Sequence, residues 1–104
     1  MPHNTKLVNV TITFRNIEGT DPLRKYGQEK VKNCIQKFVH QDTEAHVVLR
    51  VEKARQIAEV TFRADGNDFK CSEESNDLYT SIDKLVDSLT QQLRKHKEKL
   101  TGKH

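Results

Sequence analysis

A chain of 104 residues with 34% hydrophobic and 32% charged content suits one domain with a modest core under a heavily charged surface. No apolar run approaches the roughly 18 residues of a membrane span, and the opening MPHNTKLVN lacks a signal-peptide core, so a cytoplasmic protein without a membrane role is expected. Cys34 and Cys71 form no CxxC pair and the five histidines are scattered, which argues against a metal or redox centre and for two reduced, buried thiols.

Leu7 to Phe14 alternates, with Val8, Val10, Ile12 and Phe14 on one side and Asn9, Thr11 and Thr13 on the other. That is the pattern of a strand with one buried face. Residues Arg15 to Gly19 break it and turn the chain. Thr20 or Asp21 then caps a helix whose first position is Pro22, where a missing N–H does no harm. Leu23, Tyr26, Val31, Cys34, Ile35 and Phe38 form its apolar face. Gly27 inside it costs up to about 1 kcal/mol relative to alanine; it either permits close packing or is simply tolerated.

After a polar connection from His40 to Glu44, a second strand runs from His46 to Glu52 through Val47, Leu49 and Val51. A third occupies residues 55–64, with Ala58, Val60, Phe62 and Ala64 in phase. Asp65-Gly66-Asn67 is a tight-turn sequence, and Asp68 to Ser72, with Phe69 and Cys71 in phase, is the short fourth strand.

The last segment, Asn76 to Lys103, repeats Leu78, Ile82, Leu85, Val86, Leu89, Leu93 and Leu100 at helical spacing, within roughly 100° of arc. Ser75 or Asn76 is placed to cap it, with Asp77 near its positive dipole end. Lys84, Ser88, Gln91, Lys95 and Lys99 make a second stripe whose centre lies about 130° away. Residues 94–104 carry a net charge of +4 while the whole chain carries +3, so the rest is near neutral.

The order β-α-β-β-β-α predicts an α+β fold in which strands one and two are parallel across a right-handed crossover and the later pairs antiparallel. Both amphipathic helices then share one face of a four-stranded mixed sheet, leaving Thr11, Thr13, Arg50, Glu59, Thr61, Arg63 and Lys70 on the other. A single domain spanning 1–104 is expected.

No catalytic constellation is present: no GxSxG, no Walker-type loop and no HExxH. A non-enzymatic protein without cofactors is therefore expected. Cations in a helix's last turn offset its dipole, and Arg94 and Glu98 are spaced to pair. Two or three basic residues would meet those needs, and they leave a lysine row back to Lys84 unexplained. Phosphate contact explains it, with strong salt dependence and little sequence reading. The sheet lacks the exposed aromatic pair of an RRM-type face, so structured RNA is favoured over a single-stranded motif. A general RNA-binding domain or RNA chaperone, and a protein-interaction module, are the alternatives.

Asp77-Leu78-Tyr79-Thr80-Ser81-Ile82-Asp83, followed by Leu85, Asp87, Leu89, Gln92-Leu93 and Arg94-Lys95-His96-Lys97, closely resembles the second helix of the ribosome hibernation promoting factor family. ITFRNIEGTDPLRKY resembles that family's opening segment, and VVLRVEK follows in register. The resemblance implies the β-α-β-β-β-α fold, of double-stranded-RNA-binding-domain type. It also implies a translation inhibitor of stationary phase or stress, binding small-subunit rRNA in the decoding channel and blocking mRNA and A- and P-site tRNA. It places rRNA contacts on Arg94, Lys95, Lys97 and Lys99, with Arg24 and Lys84 as further candidates. Asp77 and Tyr79 match motif positions, although Tyr79, at the edge of the apolar stripe, equally fits a structural role. Ser88 stands where the family has lysine, and the chain reads as a short form without the dimerisation domain. Ribosome pairing would then need a separate modulation factor, the alternative being a member that only stabilises single ribosomes.

Overall fold

In the computed structural model, residues 7–100 are described, the side chains of 98–100 excepted. The elements are β1 (Val8–Arg15), α1 (Asp21–Gln36), β2 (Thr43–Glu52), β3 (Arg55–Ala64), β4 (Asn67–Ser75) and α2 (Leu78–Leu100). The sheet order is β1-β2-β3-β4. β1 pairs with β2 in parallel from Val8↔Thr43 to Arg15↔Arg50, and the other two pairings are antiparallel. This is the expected α+β fold, a mixed sheet with both helices on one face.

The differences in strand length have local causes. Glu52↔Arg55 and Ala64↔Asn67 are direct partners, so both hairpins close through two residues. Asp65 (φ 54) and Gly66 (φ 78) are both left-handed, as a type I′ turn requires, and its twist suits the flanking strands. Asn67 therefore belongs to β4 rather than to the turn. β2 also begins earlier than its alternation implied, because Thr43 N–H reaches Leu7 O at 3.0 Å and its hydroxyl bonds Gln41 O.

α1 is capped by Thr20, whose Oγ1 accepts from Leu23 N–H at 3.3 Å. α2 is capped by Asp77, not by Ser75 or Asn76. Its carboxylate accepts from the Thr80 N–H and hydroxyl at 3.2 and 2.8 Å. Ser75 serves one step earlier, bonding Ser81 Oγ at 2.7 Å and accepting from Asp77 N–H.

Leu78, Ile82, Leu85, Leu89 and Leu93 of α2 join Leu23, Val31, Cys34 and Ile35 of α1 over the valine side of the sheet. Leu100 of the same apolar stripe lies outside the described side chains. Gly27 is buried, and a Cβ there would sit 3.2 Å from Ile12 Cδ1 and 3.6 Å from Ile82 Cδ1. It permits the close passage of α1 between β1 and α2. Cys34 and Cys71 are free and buried; burial pushes both thiols up, which keeps them protonated.

The two helices run in the same direction. Tyr26 meets Tyr79 and Asp83, while Cys34 meets Val86 and Thr90 further along both helices. Both C-terminal ends therefore lie at one end of the domain, beside the β3–β4 turn.

Candidate nucleic-acid interface

The open face of the sheet is rich in charge, and three of its arginines are already paired. Arg50 pairs with Glu59 at 3.1 Å and with Glu52. Arg55 pairs with Glu74 at 2.6 Å and Glu52 at 3.5 Å, and Arg63 with Asp68 at 3.1 Å. The hydrogen bond from Arg55 holds the Glu74 carboxyl below its usual range and raises the guanidinium in return. Ile57, in register with Arg50 and Glu74 on this face, is only 2% exposed. The alternation on the valine side gave no sign of a buried side chain here. A face of paired arginines offers little to a phosphate.

Two of the expected phosphate contacts close the sheet's edges. Arg24 donates to Ile12 O at 3.4 Å and stands 5.1 Å over the Phe14 ring. Gln28 bonds Val10 O nearby at 3.2 Å. On the opposite edge Lys84 donates to Glu74 O and Gln92 to Lys70 O, each at 3.3 Å. These are outward-facing strand carbonyls, and capping them blunts both edges against strand addition. Arg24 and Lys84 are exposed but each is tethered to the sheet. Ser88 is half-buried, its hydroxyl donating to Glu73 at 2.5 Å. The lysine stripe is thus interrupted, as a flank of α2 folded against β4.

The end of α2 differs. Arg94, Lys95 and Lys97 are exposed and form no ion pair among the described residues. Lys99 and the expected Arg94–Glu98 pair lie outside the described side chains. The base of this segment is held firmly: His96 stands edge-on to Phe69 at 5.1 Å. Its Nε2 is 3.9 Å from the carboxylate of Asp65, which lies equally far from His40 Nδ1. Because the helices are parallel, the Cys34–Thr90 register continues to place exposed Lys37 level with Leu93 and Arg94. Lys37 was absent from the sequence-based candidates, and only the crossover topology could have drawn attention to it.

Asp77 and Tyr79 sit at the other end of α2, about 27 and 24 Å from Lys95 along the axis at 1.5 Å per residue. The hydrogen bond from Thr80 holds the Asp77 carboxyl low, as a capping role demands. Tyr79 is 40% exposed and packs edge-to-face on Tyr26 at 5.0 Å. Tyr26 in turn donates to Asp83 at 2.5 Å, which raises its phenol pKa. Two carboxylates beside the pair make this end unsuited to phosphate.

Fold and surface together define a small α+β domain that carries exposed cations without ion pairs at the shared end of two parallel helices, among other places. Residues 10–101 match the family described as sigma 54 modulation protein / S30EA ribosomal protein, and the chain belongs to it. It is 36% identical over 93 residues to the ribosome hibernation promoting factor of Klebsiella oxytoca, covering 89% of this chain and 97% of that one. The Pseudomonas putida factor of the same name is 37% identical over 92 residues, covering 88% and 89%. Among solved structures, the N-terminal domain of Thermus thermophilus Protein Y superposes with a TM-score of 0.75 at 30% identity, over 86% of this chain and 98% of that one. A ribosomal subunit interface protein from Coxiella burnetii, with a TM-score of 0.76, is 21% identical over 86% and 97% of the two chains and shares the fold. The family is one of ribosome hibernation and translation regulation. No helix among the described residues is long and apolar enough to cross a membrane.

Proposed function

We propose that this protein is a non-enzymatic hibernation factor that binds small-subunit rRNA in the decoding channel through the end of α2, excluding mRNA and A- and P-site tRNA. The observation that carries this reading is the set of unpaired cations Arg94, Lys95 and Lys97, within a family whose relatives are named hibernation promoting factors. Lys99 extends the set by sequence, and Lys37 by topology. Arg24 and Lys84 are secondary contacts, since reaching a phosphate costs each its bond to a strand carbonyl. Ser88 removes one contact that the family's lysine would make. Asp77 and Tyr79 maintain the helix rather than touch RNA. The domain acts as a ribosome-binding unit in the cytoplasm.

Cosedimentation on a sucrose gradient tests this. Wild-type protein joins the small-subunit peak, and a Lys95→Glu, Lys97→Glu, Lys99→Glu variant with an unchanged circular dichroism spectrum stays at the top. Undiminished cosedimentation of that variant would sink the charge-based mechanism. Equal affinity for ribosomes and arbitrary duplex RNA at matched salt would point to a general RNA binder instead.

A further inference from the structure

Between β4 and the last turns of α2 lies a cleft of about 290 Å³ lined by Asn67, Asp68, Phe69, Gln92, Lys95 and His96. We propose that it receives one unstacked nucleobase of the bound RNA. This rests on the reading that the end of α2 binds RNA, and it assigns part of that surface to a base rather than to phosphate.

The polar groups here are those a base edge needs. The Lys70 and Glu74 carbonyls point away from β3, since α2 side chains cap both. Asp68 shares their phase, so its N–H and C=O also point outward. No side chain among the described residues caps them. An adjacent donor and acceptor on a strand edge match the hydrogen-bonding edge of a base. Gln92 uses its NH₂ on Lys70 O, and Asn67 uses its own on Asp65 O at 3.1 Å. Both amide orientations are thereby set, and both amide oxygens remain as acceptors. Acceptors favour an exocyclic amino group, hence adenine, cytosine or guanine over uracil.

The walls and rim suit the same occupant. Phe69, stacked on Phe62 at 5.0 Å and flanked by His96, gives a rigid apolar floor. The Asp68 carboxylate, which would repel RNA, is paired with Arg63. Lys95 itself lines the cleft, so a strand whose phosphate it binds passes the cleft mouth. The volume is several times the roughly 30 Å³ share of one water, enough for a heterocycle.

Two measurements test the cleft. In amide NMR spectra of ¹⁵N-labelled protein, adenosine 5′-monophosphate should shift Asp68, Phe69 and Gln92, whereas ribose 5-phosphate should move only the Lys95–Lys97 region. Identical perturbation by both probes, or none at the cleft, overturns the proposal. In small-subunit binding, Gln92→Met should weaken affinity about tenfold and leave the salt dependence unchanged, because no phosphate contact is lost. Lys95→Gln should lower the slope of log K against log salt by about one. Wild-type affinity for Gln92→Met, or a matching fall in its salt slope, overturns the base contact. If wild-type protein itself fails to bind small subunits, the hibernation reading fails, and the nucleotide spectra still decide the cleft.

Discussion

The open face of the sheet and the end of α2 both carry several basic side chains, but they differ in how many of those side chains are already paired. On the sheet Arg50, Arg55 and Arg63 each meet a carboxylate on a neighbouring strand or across a hairpin. On α2 Arg94, Lys95 and Lys97 are exposed on the last turns and form no ion pair among the described residues. Counting cations would rank the two surfaces alike. A paired arginine must break its ion pair before it can serve a phosphate, whereas an unpaired lysine gives up only water and counterions. Availability, more than number, separates the proposed interface from the sheet.

That contrast can be broken at either surface. Replacing Arg94, Lys95 and Lys97 with glutamine should weaken small-subunit binding at least about 100-fold at moderate salt. It should also lower the slope of log K against log salt by roughly two to three, near one per lost phosphate contact. Filter binding across a salt series measures both. A smaller effect is expected from the converse change. Glu59→Gln with Glu74→Gln leaves Arg50 and Arg55 with fewer partners, which should raise affinity for non-specific duplex RNA by about threefold without improving binding to small subunits. No gain for duplex RNA would show that pairing is not what silences the sheet face.

The smallest effect concerns the opposite end of α2. Asp77 is held below the ordinary aspartate value of 3.8 by its bonds to Thr80, so its contribution to stability is present above that value. It is lost as pH falls through the depressed one. Asp77→Asn keeps an acceptor at the cap but does not titrate. Urea midpoints should favour the wild type at neutral pH and converge with the variant in strong acid. A constant offset at every pH would remove the ionised cap from the account.

Much of the architecture was legible in residue order. The Val8 to Phe14 alternation and the Leu78 to Leu93 stripe reflect periods that local geometry imposes on any strand or helix with one buried face. The crossover between β1 and β2 then followed from the intervening helix. Less legible were features made by contacts between distant residues. The cap of α2 moved to Asp77 because Ser75 is engaged with Ser81, which itself donates to Gln56 O at 2.6 Å across the core. Ile57 looked like a solvent-facing position but is buried on a face of paired charges. Arg24 and Lys84 looked like free cations of their helices, and only the packed edges reveal the carbonyls they cap.

By itself the sequence determined the elements, their order, the family and the concentration of charge after residue 93, since each depends on local periodicity or composition. Tertiary structure alone decided which cations are free, because ion pairing and edge capping join residues that are remote along the chain. It also ran the two helices in parallel, setting Lys37 level with Leu93 and Arg94, and opened beside Lys95 a cleft whose walls come from two separate elements.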